Sequence, residues 1–120
     1  MNPDQALAGR RILLVEDDFI IADDVAAAFG SAGAEVVGPA ATPRKALELI
    51  KQTERLDGAM LDINLQGDLV YAVVDALQAR GVPVIFASGY DRSAIPERYA
   101  DIPFCEKPVD RARCAKDLFR

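Results

Sequence analysis

Apolar residues gather along the chain in short runs of strand length, at Arg11 to Val15, Glu35 to Val37, Ala59 to Leu61, Val82 to Ala87 and Ile102 to Cys105. The runs are rich in Val and Ile and nearly continuous, without strict alternation, which predicts strands buried on both faces as in a parallel sheet. Between them the apolar spacing turns helical. Ile21, Val25, Phe29 and Ala32 share one stripe that ends at Gly33, a residue suited to a left-handed helix cap. Thr42 and Pro43 have the chemistry of an N-cap and a first helical position, followed by Ala46, Leu47 and Ile50 on one side. Val70, Val73, Val74 and Leu77 form a third stripe before Gly81. Pro108 opens a last helix with Val109, Ala112, Ala115 and Phe119 facing inward. The stretch DRSAIPERYAD, from Asp91 to Asp101, holds a proline and little stripe, so the fourth helix should be short or irregular.

Five strands alternating with helices imply right-handed crossovers and an open, doubly wound α/β fold with a five-stranded parallel sheet. At 120 residues, with no internal repeat or linker, a single domain is expected over 1–120, its core beginning near residue 10. In such a sheet, ligands bind beyond the carboxyl ends of the strands.

Composition narrows the chemistry. Fourteen basic against 19 acidic residues give a net charge of −5, which argues against a phosphate-backbone binder because that task needs a basic face. The opening MNPDQALAGR lacks a basic start followed by an apolar core, and no uncharged apolar run approaches the roughly 20 residues that cross a bilayer. The chain reads as cytoplasmic. Histidine is absent, which removes nucleophile triads, most catalytic zinc sites and a phosphohistidine carrier role. The two cysteines, Cys105 and Cys114, match no metal-ligand spacing and no secreted disulfide framework, and read as inert packing residues.

The polar groups that follow the strands are Glu16 and Asp17 after the first, Asp62 and Asn64 after the third, Ser88 after the fourth and Lys107 after the fifth. Singly, each has a plainer reading: acids at a helix start complement its dipole, and Asn64 and Ser88 are turn residues. Asp18 keeps that reading, as an N-cap. In a parallel sheet, however, these groups emerge on one edge, where three carboxylates, a hydroxyl and an ammonium converge. Like charges in a partly dry site oppose one another's ionisation. A hard divalent cation answers that cost, and Mg²⁺ fits best because it takes one or two protein carboxylates and keeps room for water and a phosphate oxygen.

The segments ILLVEDD, MLDINL, FASGY and CEKPV, four in order over almost the whole chain from about Arg10, resemble the receiver domain of bacterial two-component response regulators, and the resemblance implies a flavodoxin-like sheet with the strand order 2-1-3-4-5. The resemblance implies that Asp62 takes a phosphoryl group from a partner histidine kinase or a histidine phosphotransfer protein. It further implies that Asp17, Asp62 and the backbone carbonyl of Asn64 hold Mg²⁺, with Glu16 in support. Lys107 and the Ser88 hydroxyl would gather phosphoryl oxygens, and the aspartyl phosphate would decay by hydrolysis. Ser88 and Phe104 are the implied switch residues of the face built from the fourth and fifth strands and the last helix, and Tyr90 borders the site. FASGY is also similar to the subfamily with a Phe-Ala-Thr-Gly-Tyr stretch, often stand-alone receivers that partner kinases of the HWE or a related type. Here Ser88 stands where threonine is usual; it keeps the hydroxyl and loses the methyl that stiffens its rotamer. A monomer or a weak phosphorylation-dependent dimer is expected.

Two further readings share the acidic sheet edge. A Mg²⁺-dependent phosphohydrolase with an aspartyl nucleophile would need a general acid two residues beyond Asp62, where Asn64 stands, and an inserted cap domain. A phosphorylation-independent binding module would leave partner affinity unaltered in Asp62→Asn. No glycine-rich turn follows the first strand, which makes a nucleotide-binding module a remote reading.

Overall fold

A computed structural model describes residues 7–65, 68–88, 95–106 and 114–119. A five-stranded parallel sheet runs in the order β2 (Glu35–Ala40), β1 (Arg11–Val15), β3 (Gly58–Leu61), β6 (Val84–Ser88), β7 (Phe104–Glu106). Counting sheet strands alone, this is the expected 2-1-3-4-5. Residues Asn64–Leu65 (β4) and Asp68–Leu69 (β5) form a small antiparallel hairpin that the sequence reading did not contain.

Alternation within each central strand feeds two cores. Leu13, Val15, Ala59, Leu61, Val84 and Phe86 point to the side covered by helices α2 (Pro43–Gln52) and α3 (Tyr71–Ala79). Ile12, Leu14, Met60, Ile85, Ala87 and Cys105 point to the side covered by helix α1 (Phe19–Ser31) and the C-terminal segment. The inner strands are buried on both faces as expected. Strand β2 is not: it lies at the sheet edge, and only Ala40 of it is fully buried.

Helix α1 buries Ala22, Val25 and Phe29, and Gly33 takes a φ of +96° just past its end, where its N–H donates to the Gly30 carbonyl. Burial of a side chain the size of Phe29 contributes about 1.5–3 kcal/mol. Helix α2 starts as read, with the Thr42 hydroxyl accepting from Lys45 N at 3.1 Å and Pro43 in the first turn. Its buried stripe, though, is Ala46 with Ile50 and the half-buried Leu49; Leu47, assigned to the core from sequence, is 37% exposed. The i, i+3, i+4 rule allows either neighbour, and packing against β2 selects Leu49. Helix α3 buries Val73, Val74 and Leu77, with Val70 preceding its first turn.

The fourth helical segment is a single 3₁₀ turn, Glu97–Tyr99, among the described residues. Tyr99 stacks on Tyr71 with centroids 4.6 Å apart, and its hydroxyl donates to Asp75 at 2.9 Å. Burial, then that hydrogen bond, raises the Tyr99 pKa above its ordinary 10.0. Of the predicted last helix, Pro108, Val109 and Ala112 lie outside the described residues. Ala115 is fully buried as expected, and the chain continues as a 3₁₀ turn, Lys116–Phe119. Gly58 seats that turn: a Cβ there would stand 3.1 Å from both Leu118 and Phe119, and Arg10 lies over the Phe119 ring at 4.4 Å.

Cys105 and Cys114, expected to pack independently, are joined by a disulfide between β7 and the C-terminal segment, with Cα atoms 6.1 Å apart. One pair of cysteines nine positions apart carries no pairing signal in sequence. The return of the chain along the face of β7 is what brings them together.

Candidate functional site at the carboxyl edge of the sheet

Strands β1 and β3 are hydrogen-bonded neighbours with Val15 opposite Leu61. The residues one step further, Glu16 and Asp62, are therefore held side by side by the sheet itself. Asp62 N donates to the Val15 carbonyl at 2.9 Å, and Glu16 N donates to the Ala40 carbonyl of β2 at 2.9 Å. Both positions are fixed by main chain before their side chains contribute anything.

The Ala40 contact depends on a local irregularity. The pairing of β1 with β2 shifts register between Leu13 and Val15, and Gly38 there adopts a φ of +102°. A Cβ on Gly38 would lie 2.9 Å from both Ala40 N and the Leu14 carbonyl oxygen, so only glycine permits this approach. The Gly38-Pro39 dipeptide inside an apolar run is a breaker signal that marks such a feature in sequence.

Carboxylate oxygens of Glu16, Asp17 and Asp62 all lie within 4.8 Å of one another. Glu16 is 5% and Asp62 7% exposed, the two polar or charged residues buried among those described, while Asp17 is half-buried. Asp18 stands apart from this set. Its carboxylate accepts from Ile20 N at 2.9 Å and Ile21 N at 3.1 Å, capping α1 as read, while its own N–H donates to Glu16 Oε2 at 3.3 Å. Glu16 is thus oriented by the first turn of the helix that Asp18 caps.

Three convergent carboxylates form an all-oxygen donor set, the kind that suits Mg²⁺ more than a soft transition metal. The group fits the residues present. Beside it a cleft of about 140 Å³ is lined by Glu16, Asp17, Phe19, Ala22, Pro39 and Ala41. Of these, Phe19, at the start of α1, is 84% exposed.

The remaining expected site residues divide. Asn64 lies in β4, opposite Leu69, two residues beyond Asp62, and Val70 N donates to the Ile63 carbonyl at 3.2 Å to close the loop that carries them. Ser88 ends β6, opposite Glu106 of β7, on the same edge of the sheet as the acids; its side chain and that of Asn64 lie outside the described set. Phe104 begins β7 opposite Phe86 and is half-buried against the larger core. Lys107 and Tyr90 lie outside the described residues. The hairpin β4–β5 and the Gly38 irregularity are the parts of this edge that sequence reasoning missed.

Residues 12–117 match the family model described as the response regulator receiver domain. Over 90 residues the chain is 34% identical to the phyllosphere-induced regulator PhyR of Methylorubrum extorquens, a match that covers 73% of this chain and 32% of PhyR. The chain thus spans about a third of the length of that relative. The solution structure of SdrG from Sphingomonas melonis Fr1 superposes with a TM-score of 0.79 at 30% identity, covering 92% of this chain and 97% of SdrG. A second solution structure of SdrG, in its BeF₃-activated conformation and assigned to Pseudomonas melonis Fr1, gives a TM-score of 0.76 at 32% identity, covering 92% of this chain and 98% of that one. With a parallel sheet in this strand order, an acidic cluster at its carboxyl edge and a family match over nearly its full length, the chain belongs to the response regulator receiver domain family.

Proposed function

We propose that this chain is a phosphoacceptor signalling domain, one domain from about residue 10 onward, and that Asp62 is the residue phosphorylated. The observation that carries the reading is the convergence of Glu16, Asp17 and Asp62 within 4.8 Å at the carboxyl edge of a parallel sheet. An Asp62 carboxylate oxygen attacks the phosphorus of a phosphohistidine on a partner kinase or phosphotransfer protein. The new P–O bond forms as the P–N bond breaks, and the released imidazole takes up a proton. The missing histidine in this chain is consistent with that division of labour.

Asp17, with the Asn64 carbonyl and Asp62, would hold Mg²⁺, and Glu16 would support it; when bound, the cation offsets negative charge on the phosphoryl oxygens. Asp62 needs to be placed more than activated, because phosphoryl transfer depends chiefly on positioning and on neutralising charge. The hydrogen bond that its backbone N–H donates to the Val15 carbonyl of β1 supplies the positioning. The Ser88 hydroxyl and the Lys107 ammonium would take the remaining phosphoryl oxygens, and Tyr90 would border the site. Phe104, half-buried at the start of β7, would change packing as Ser88 moves, shifting a population between two arrangements of the face formed by β6, β7 and the C-terminal segment. Hydrolysis of the acyl phosphate then restores Asp62.

A kinase of the HWE or a related type is the proposed donor, on the likeness of FASGY to that receiver subfamily, and the cytoplasm is the proposed compartment. Among the described residues no helix is long and apolar enough to cross a membrane. With Mg²⁺ and acetyl phosphate or phosphoramidate, the intact mass should rise by one phosphoryl group, and Asp62→Asn should abolish the rise. No mass change where a control receiver reacts would contradict the proposal. Multiple turnover of a phosphomonoester would instead favour the phosphohydrolase.

A further inference from the structure

The disulfide joins the chain's two cysteines and so adds a second covalent link between β7 and the start of the C-terminal segment, beside the backbone that runs from one to the other. Its Cα separation of 6.1 Å lies inside the range that a disulfide spans without backbone movement. The two sulfurs differ in access. Cys105 is 2% exposed, in the core between α1 and the sheet, whereas Cys114 is half-buried at that core's margin.

The cross-link is not needed to make up for a missing core. Cores on both sheet faces contain fully buried Phe29, Phe86, Leu13, Leu61 and Met60, and a domain of this size folds without covalent staples. What the bond encloses is more informative: Lys107, the proposed phosphoryl-binding cation, lies in sequence between Cys105 and Cys114. The far end of the same segment is anchored separately, by Gly58 beneath Leu118 and Phe119 and by Arg10 over Phe119. Opening the disulfide therefore leaves the C-terminal segment docked while releasing the link between β7 and its beginning.

We infer that Cys105 and Cys114 form a reversible thiol–disulfide couple, and that its closed form accepts a phosphoryl group on Asp62 faster than its open form. The second half of this inference rests on the function proposed above. The co-reactant is a low-molecular-weight disulfide. The thiolate of Cys114, the more accessible sulfur, attacks one sulfur of that disulfide and expels the other as a thiol, which forms a mixed disulfide. The Cys105 thiolate then attacks the Cys114 sulfur and expels the second thiol. Two electrons pass from the protein to the small disulfide, and the two protons lost by the cysteines end on the two thiols released. A dithiol reductant reverses the sequence. Cys105 lies opposite Ala87, one residue before the proposed phosphoryl-binding Ser88, so closing the bond ties the end of β7 at that edge to the C-terminal segment, and preorganisation of charge-stabilising groups favours transfer.

The full chain is equilibrated in glutathione buffers of graded ratio, quenched with an alkylating agent and weighed intact. The expected result is one transition from two alkylated thiols to none, with loss of two hydrogens. Alkylation of both cysteines at every ratio, or arrest at a mixed disulfide on Cys114, overturns the couple. The closed and open forms are then labelled with phosphoramidate and Mg²⁺. The closed form should react at least about fivefold faster, a coupling of ordinary size. Cys114→Ser, a conservative change at the half-buried position, should show the slow rate whatever the buffer. Equal rates in both forms overturn the regulatory half. Absence of labelling in both forms contradicts the proposed function and the regulatory half with it, while the mass titration still decides the couple on its own.

Discussion

The two ends of the parallel sheet treat charge in opposite ways. At the amino end of the strands, opposite charges are matched. Arg11 meets Glu35 at 3.0 Å, Arg55 meets Asp57 at 3.2 Å and donates to the Gly9 carbonyl at 2.8 Å, and the Asp57 carboxylate also accepts from Arg11 N. Nearby, the Arg80 guanidinium, just past α3, donates to the carbonyls of Ile50, Thr53 and Glu54 and so closes the end of α2. At the carboxyl end, three carboxylates crowd within 4.8 Å, two of them almost wholly buried. One end is arranged as stability alone would arrange it. The other departs from that rule, and such departures mark sites where function sets the residues.

The largest contrast is expected from Asp17→Asn. It removes a charge from the crowded end without touching the main-chain bonds that hold Glu16 and Asp62, so the melting temperature should hold or rise. The Mg²⁺ concentration for half-maximal phosphoryl labelling should increase roughly tenfold or more. A labelling curve that does not move would mean that the acids at this end serve structure, as those at the other end do.

Arg80→Ala should do the reverse. Loss of three carbonyl partners at the end of α2 should cost about 1–3 kcal/mol by denaturant unfolding, with the Mg²⁺ dependence of labelling unchanged. Gly38→Ala tests the seam between the two ends. A side chain at a φ of +102°, 2.9 Å from two backbone atoms, should destabilise by more than about 1 kcal/mol and also weaken labelling, because the Ala40 carbonyl that holds Glu16 shifts with it. A variant of native stability and native labelling would show that the irregularity is incidental.

The smallest effect is expected at the exposed pair of Arg11 and Glu35. The hydrogen bond from Arg11, then its charge, lowers the Glu35 pKa below its ordinary 4.5. A carboxylate whose folded pKa is depressed contributes stability above its unfolded value, and that contribution is lost as the pH falls below 4.5 through the folded value. Thermal melts of wild type and Glu35→Gln should therefore differ slightly near neutrality and converge in acid. Divergence on acidification would contradict the sign.

The sequence made the sheet legible because its signal is redundant. Continuous apolar runs such as ILLV and GAML are buried on both faces, and no amphipathic alternative competes with that reading. The acids were legible for a related reason: a parallel sheet carries whatever follows each strand to one edge, so Glu16, Asp17 and Asp62 could be grouped without coordinates. Features that depend on tertiary return were not legible. The choice of Leu49 over Leu47 and the pairing of Cys105 with Cys114 arise from which surfaces meet, and no local pattern encodes them. Gly38 falls between these cases: its dipeptide with Pro39 is a local break signal that the reading passed over, and the strand partner that makes the break useful is distant in sequence.

The central claim is that the crowded carboxylates surround a phosphoacceptor, and the most direct measurement identifies the labelled atom. After reaction with phosphoramidate and Mg²⁺, borohydride reduces an aspartyl phosphate to homoserine, and peptide sequencing by mass spectrometry locates it. The account predicts homoserine at position 62 and at no other aspartate, with none formed when Mg²⁺ is chelated. Homoserine elsewhere, or unaffected labelling in chelator, would contradict it.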